Sequence, residues 1–389
     1  MVPVLPQIVH LDADAFFVAV EQALDPSLRG KLVAVGGRER GIIASASYEA
    51  RARGVYTPMP TAQALKVCPD LILVSSGFKR YGEYSRRMFE ICETLTPIVQ
   101  RNSIDEGYLD LGMCGFKTVG EIERRVRAIQ LRIWDDLQIT ASFGIAANRL
   151  VAAIASKAHK PRGFTLVRPG GEAEFLAPMN INVIPGVGKK SEARLEAAGI
   201  RRVRDLFTRT ETELRALFGN AWPEMLAMGR GEDGRPVETE REDAKSYSQQ
   251  ETFAQDIRDF AEIERIAKRM IDELMPAIRA DAKRVRTMTV KVRYAGMDDS
   301  VCGRSLAEAT DLEARFYPLV TPLLKAAWSK RRPLRLVSVR FSGVEAPAAQ
   351  LEMFGQSEEK RRRLAVVLDR LNSGGGKTVV RHGHQIIKQ

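Results

Sequence analysis

The chain has 389 residues, with 60 Lys+Arg against 49 Asp+Glu, a formal charge of +11 at pH 7 and a pI near 9.6. That length exceeds one ordinary domain, and 44% hydrophobic with 28% charged residues is enough apolar material for real cores, which excludes a wholly disordered chain. No stretch approaches the ~20 uncharged apolar residues of a membrane span.

Met1-Val2-Pro3-Val4-Leu5-Pro6 lacks the basic start and long apolar run of a signal peptide, and Cys68, Cys92, Cys114 and Cys302 stand apart without a CxxC. The expectation is a cytoplasmic protein with reduced thiols and no membrane partner. The basic excess points to a polyanion without saying which one.

In chain order, residues 7–14 (QIVHLDAD) read as a strand ending in carboxylates, followed by a helix from Phe16 to about Leu24 that Asp25-Pro26 stops. Short strands are expected at 31–35 and 41–45, helices at 79–95, 119–137 and 148–158, and strands at 107–111 and 140–145. Residues 168–231 are helical throughout, with Gly/Pro turns, and 232–244 (EDGRPVETEREDA) is the clearest linker. A helix at 257–280 and strands at 287–294 and 334–342 predict a separate small α+β domain, and 357–371 a basic helix.

The acids carry the first chemical signal. Asp12 and Asp14, two apart on a strand, share one face. Asp105 and Glu106 are adjacent and reach one site together only at a turn or strand edge, for which Gly107 leaves room. Carboxylates without a Cys/His set are a hard-oxygen site, suited to Mg²⁺ or Mn²⁺ more than to zinc. Taken alone, such pairs are more often solvated strand-end acids.

Five segments, HLDADAFFVAVEQ (10–22), ASASYEARARGVYTPMP (44–60), SIDEGYLDL (103–111), SFGIAANRLVAAIASKAHKPRGF (142–164) and IPGVGKKSEARLEAAGI (184–200), occur in this order. Together they resemble the Y-family translesion DNA polymerases, nearest the bacterial DNA polymerase IV type, over about residues 7 to 345. The resemblance implies an α+β multidomain right hand: palm at 1–14 and 79–167, small fingers at 15–78, a helical thumb with a helix–hairpin–helix at 168–231, a linker at 232–244, a little finger at 245–345 and a tail at 346–389. It implies Asp12, Asp105 and Glu106 as catalytic ligands of two Mg²⁺ ions, with Mn²⁺ as a substitute and Asp14 as a nearby acid. It makes Phe17, after Phe16, the steric gate against a 2′-hydroxyl. Phe16, Ser45, Tyr48, Arg51 and Lys160 are then nucleotide contacts, Tyr48 and Arg51 lying on one helix face.

A Gly-x-Gly between helices is by itself more often a plain turn, but in the context of the resemblance Gly186, Gly188 and Lys189 are expected to form a phosphate-binding hairpin of the kind two close glycines and a helix N-terminus permit. In the last domain Lys291, Arg293, Arg335 and Arg340 belong to runs of bases without an intervening acid, suited to a DNA backbone. On a regular strand Arg286 shows the opposite face from Lys291 and Arg293. Gln350, Leu351, Met353 and Phe354 (QLEMF) resemble the peptide that binds the bacterial sliding clamp.

The chain departs from the family pattern in Gly107 where Ala is usual, Ala153 where Lys is usual, and Lys157 where an acid is usual. Ile42 and Pro58 lie in segments that touch substrate choice. The expected activity is template-directed addition of dNTPs to a primer 3′-end by a monomer, at low fidelity and without proofreading. A silent clamp-bound adaptor and a nucleotidyl cyclase are the rival readings.

Overall fold

The computed structural model describes residues 5–346 apart from 39, 76, 241, 242 and 331, together with 356–373, 380 and 383. The chain divides into two compact units, Met1–Arg241 and Glu242–Gln389.

The first unit runs β1 (Ile8–Ala13), α1 (Phe16–Leu24), β2 (Val33–Gly36), β3 (Ile42–Ala46), α2 (Tyr48–Ala52), β4 (Met59–Pro60), α3 (Thr61–Val67), β5 (Ile72–Val74), α4 (Phe78–Glu93), β6 (Val99–Arg101), β7 (Glu106–Asp110), α5 (Val119–Leu137), β8 (Ala141–Ala146), α6 (Arg149–Ala158) and β9 (Phe164–Leu166). Four helices complete it: α7 (Glu172–Leu176), α8 (Lys189–Ala197), α9 (Glu211–Phe218) and α10 (Trp222–Gly229). One sheet has the order β6-β7-β1-β8-β9 and a second the order β4-β3-β2-β5. The helix α5 shows why such segments fold locally. Thr118 and Glu121 form a capping box, and Ile122, Val126, Ile129, Ile133 and Leu137 recur at helical spacing and are buried.

The central strand β1 is buried on both faces. Val9, Leu11 and Ala13 join α1, α4 and α5 in one apolar core. Residues of opposite parity, His10 and Asp12, face the other way with Tyr108, Glu106, Ser142 and Gly144, their register partners on β7 and β8. That polar face is the one α6 packs on, since Ser156 bonds to His10. The approach is so close that a Cβ on Gly144 would lie 2.1 Å from the Ala152 carbonyl oxygen.

The second unit holds β10 (Ser246–Ile257), α11 (Phe260–Ala280), β11 (Arg284–Tyr294), β12 (Asp299–Thr310), α12 (Tyr317–Ala327), β13 (Leu334–Glu345) and α13 (Gln356–Ser373). Its sheet has the order β10-β13-β11-β12, with α11 and α12 packed on one face. The helix α13 is held against this unit by Arg279, whose buried guanidinium meets Asp369 and Glu313 at 2.6 Å each.

Several expectations need correction. Asp14 lies beyond the end of β1, in a turn whose Ala15 has φ 46°. Ile257 ends a strand instead of starting a helix, and β10 and β12 have no counterpart in the sequence reading because long stretches of both carry exposed polar side chains. Residues 232–240 form no helix or strand, but they are not loose. Asp233 accepts a hydrogen bond from the Leu150 N–H at the start of α6, and the Glu238 N–H bonds to Gln100. Gly107 is inside β7, where a Cβ would meet the Gln100 carbonyl at 2.6 Å and the Phe89 ring at 2.7 Å, so the glycine serves tight packing and not a looser turn. Arg286 is exposed at the point where the register between β11 and β12 shifts, so alternation does not assign its face.

Candidate active site

Asp12 and Glu106 are direct register partners across β1 and β7. The Asp105 carbonyl accepts the Ala13 N–H at 2.9 Å, which ties the turn before β7 to the end of β1. Ser103 shapes that turn. Its hydroxyl accepts the N–H groups of Asp105 and Glu106 and donates to the Asp105 carboxylate. The adjacency problem posed by the sequence is thereby solved: Glu106 is the first strand residue and Asp105 the last turn residue. Three acids thus collect at one sheet end, although Asp105 is turned toward Ser103. Among the described residues no group of three His, Cys, Asp or Glu side chains stands close enough together to hold a metal ion as arranged.

Positive charge from α6 and its following loop occupies the cluster instead. Lys160 donates to an Asp12 oxygen and, at 3.3 Å, to the Ala13 carbonyl. Lys157 lies 3.2 Å from Glu106 and 3.9 Å from Asp12. Burial raises the Asp12 carboxyl above its ordinary range, and Lys160 and Lys157 oppose that shift without cancelling it. Burial pulls the Lys157 ammonium down, but the charges of Glu106 and Asp12 more than offset this and raise it overall. His10 is driven down to about 3 by burial and then by Lys157, Lys160 and Arg149, so it is neutral beside Glu106 and forms no ion pair with it.

Asp14 has a structural task. Its carboxylate accepts from Ser142 at 2.8 Å and from the Arg162 N–H at 2.9 Å, pinning the loop that carries Lys160.

The five proposed nucleotide contacts divide. Phe16 is buried in the main core with 3% exposure, so only its main chain is available to a ligand. Phe17 is half-buried, with its ring 4.5 Å from the Tyr81 ring. Ser45 is buried in β3. Arg51 stacks over the Tyr48 ring at 4.8 Å and donates to the Ala46 carbonyl. The Tyr48 hydroxyl is buried without a hydrogen-bond partner of acceptable geometry, while burial and then the charge of Asp14 push it up to about 12. Asp14 is the acceptor nearest to hand, so the hydroxyl is directed at the acid cluster. Lys160 is placed on Asp12 itself. One feature was missed: α1 starts at an Ala15 that offers no side-chain cap, leaving first-turn N–H groups at the acid cluster. The alanine where a capping residue is usual was the readable signal.

In the hairpin, Ile184 and Val187 are buried anchors while Gly186, at φ +89°, and Gly188 have no atom within 4 Å of a built Cβ. No internal crowding demands Gly188, which is the N-cap residue of α8. The Lys189 ammonium lies over the Tyr56 ring at 5.6 Å.

In the second unit Lys291 and Arg340 lie on the sheet face opposite the helices, Lys291 paired with Ser338 and Arg340 with Thr289. Arg293 shares that face but is forked onto Asp299 of the adjoining strand at 2.6 and 2.9 Å. Arg335 sits where the register shifts between Arg293 and Tyr294, so alternation does not assign its face. A run without acids in sequence is therefore not without acids in space. Gln350, Leu351, Met353 and Phe354 lie outside the described residues.

Residues 11–157 match the impB/mucB/samB family, residues 169–200 the helix–hairpin–helix motif of the IMS family, and residues 244–353 the C-terminal domain of the impB/mucB/samB family. A DNA polymerase IV of Opitutus terrae is 67% identical over 387 residues, 99% of each chain. The fold agrees: a Y-family DNA polymerase chimera of known structure superposes with a TM-score of 0.78 at 27% identity, covering 87% of this chain and 99% of that one. The chain belongs to the Y-family DNA polymerases.

This polymerase is similar along nearly its whole length to other curated members, including a DNA polymerase IV of Dehalococcoides mccartyi at 34% identity over 95% of each chain. DinB from Sulfolobus solfataricus, at 27% identity and a TM-score of 0.59, covers 86% of it. It is a template-directed DNA polymerase of the translesion class. Polymerases of this class generally use divalent metal ions. The residues present fit that requirement: the donors are hard carboxylate oxygens, and two ammonium groups already stand in for cationic charge among them. No described helix is long and apolar enough to cross a membrane.

Proposed function

We propose that Asp12, Asp105 and Glu106 are the ligands of two Mg²⁺ ions, with Mn²⁺ as a substitute, at which dNTPs are added to a primer 3′-end. The observation that supports this most is the cross-strand pair Asp12–Glu106 with Asp105 tied to the same strand end. When bound, such ions activate the primer hydroxyl and neutralise charge on the departing pyrophosphate. The chain's own residues do the rest. The N–H groups that open α1, the buried Tyr48 hydroxyl, Arg51 and Ser45 receive the triphosphate, and Lys160 exchanges Asp12 for a phosphate oxygen. Phe17, braced on Tyr81, closes the space below the sugar against a 2′-hydroxyl.

Primer–template DNA is gripped by the hairpin at Gly186, Gly188 and Lys189 and by the open sheet face with Lys291 and Arg340. Arg293 joins once Asp299 releases it, and Arg335 from the edge of that face. Low fidelity without proofreading is consistent with the few short elements between β1 and α4 that are available to test base-pair shape. The palm, fingers, thumb, linker, little finger and tail take the boundaries stated from the sequence. A monomer acting in the cytoplasm, tethered to a sliding clamp through Gln350, Leu351, Met353 and Phe354, completes the reading.

The test is primer extension with Mg²⁺ by the full chain and by Asp105→Ala. The expected outcome is extension by the first and at least a ~10³-fold loss in the second, an electrostatic effect of the usual size. An Asp105→Ala variant that extends like the parent refutes the ligand assignment, and template-free NTP turnover would favour a cyclase.

A further inference from the structure

Lys157 has no role in the reading above, and its position is unusual for a lysine. It stands in the last turn of α6, with its side chain half in solvent, yet its ammonium reaches both faces of the acid pair: 3.2 Å to Glu106 and 3.9 Å to Asp12. Lys160 takes the other Asp12 oxygen. The position that bridges two carboxylates across β1 and β7 is thus filled by a flexible monovalent cation.

The sequence sharpens the point. On the same helix face, one turn before Lys157, stands Ala153, which brings no charge of its own. An acid at 157 would add negative charge near the cluster, whereas a lysine removes it. An ammonium on a four-carbon stem is easily displaced, because it pairs as a point charge and makes no bidentate fork.

We propose that Lys157 is an exchangeable cation that occupies the space between Asp12 and Glu106, so that a divalent ion must displace it to bind. It is a positioning residue that sets the divalent-ion threshold of this polymerase. This rests on Asp12 and Glu106 being metal ligands.

The experiment is a Mn²⁺ titration of the full chain, followed by the electron paramagnetic resonance signal of free Mn²⁺, without DNA or nucleotide. Parent, Lys157→Ala, Lys157→Arg, Lys157→Asp and Asp105→Ala are compared, with circular dichroism melting to establish that each is folded. Removing one half-exposed ion pair should tighten Mn²⁺ binding about 3- to 5-fold in Lys157→Ala. Lys157→Asp should tighten it further, and Lys157→Arg, which can fork onto a carboxylate, should weaken it. Unchanged or weaker binding in folded Lys157→Ala overturns the proposal and leaves Lys157 a structural residue. Loss of binding in Asp105→Ala beside that result would show that the metal assignment survives alone. A parent that binds no Mn²⁺ at this site overturns both.

Discussion

Replacing Gly144 by alanine tests whether the seating of α6 on the sheet governs both stability and activity. A Cβ there would lie 2.1 Å from the Ala152 oxygen, 2.4 Å from the Ser156 nitrogen and 2.9 Å from the Ala155 carbonyl carbon. All three are main-chain atoms of α6, so no side chain can rotate away, and the helix must retreat by at least roughly 1.3 Å to reach ordinary contact. Overpacking of this kind costs about 1–3 kcal/mol. The upper end corresponds to a fall in melting temperature of roughly 6–12 °C for a unit of this size. The same helix carries Ser156, which orients His10, and Lys157, which meets Glu106, so the acid cluster loses its backing. A displacement of about 1 Å in such a frame is enough for up to a ~100-fold loss of primer extension.

The assay is thermal melting by far-UV circular dichroism together with primer extension at fixed dNTP and Mg²⁺. Gly120→Ala serves as the control, because a Cβ at that α5 position meets nothing within 4 Å. A Gly144→Ala variant that melts within about 1 °C of the parent and extends normally would refute the reasoning.

Phe17→Ala should open the space under the sugar and lower dNTP-over-rNTP discrimination by on the order of 100-fold, read by single-nucleotide insertion; unchanged discrimination removes Phe17 as the gate. Arg279→Ala strands Glu313 and Asp369 and should cost the second unit about 3–5 kcal/mol in guanidinium unfolding, since it breaks a buried pair. An unshifted transition would deny that Arg279 holds α13. Asp233→Asn removes a carboxylate that burial alone would raise but that Arg235 and the N–H groups of Arg235 and Leu150 hold below its ordinary range. A depressed carboxyl stabilises the fold above about pH 4 and loses that contribution as pH falls through its folded value. The parent should therefore exceed the variant by about 1 kcal/mol at pH 7, with the gap closing below about pH 4. A gap constant down to pH 3 contradicts the assignment.

Much of the site was legible. The helix from Phe16 to Leu24 and the helix from Val119 to Leu137 stand where the pattern put them, because apolar spacing and local caps are properties of neighbouring residues. The acids, the Tyr48–Arg51 pair and the hairpin glycines were likewise visible as residue types in order. The pairing of charges was not. Lys283, Arg293 and Arg332 looked free along the chain, yet meet Asp243, Asp299 and Asp298 through the fold. Arg286 stands at a register shift that no alternation rule contains.

By itself the sequence determined the family, the acid set and a basic chain suited to gripping nucleic acid. Tertiary structure alone decided that Asp12 pairs with Glu106 across two strands, that Asp14 fastens the loop carrying Lys160, and that Lys157 stands between the acids. The reason is range. Helix periodicity and capping act over a turn or two, whereas ion pairing depends on which strands lie side by side, and partners such as Asp12 and Lys160, or Asp14 and Ser142, are brought together only by closing the sheet.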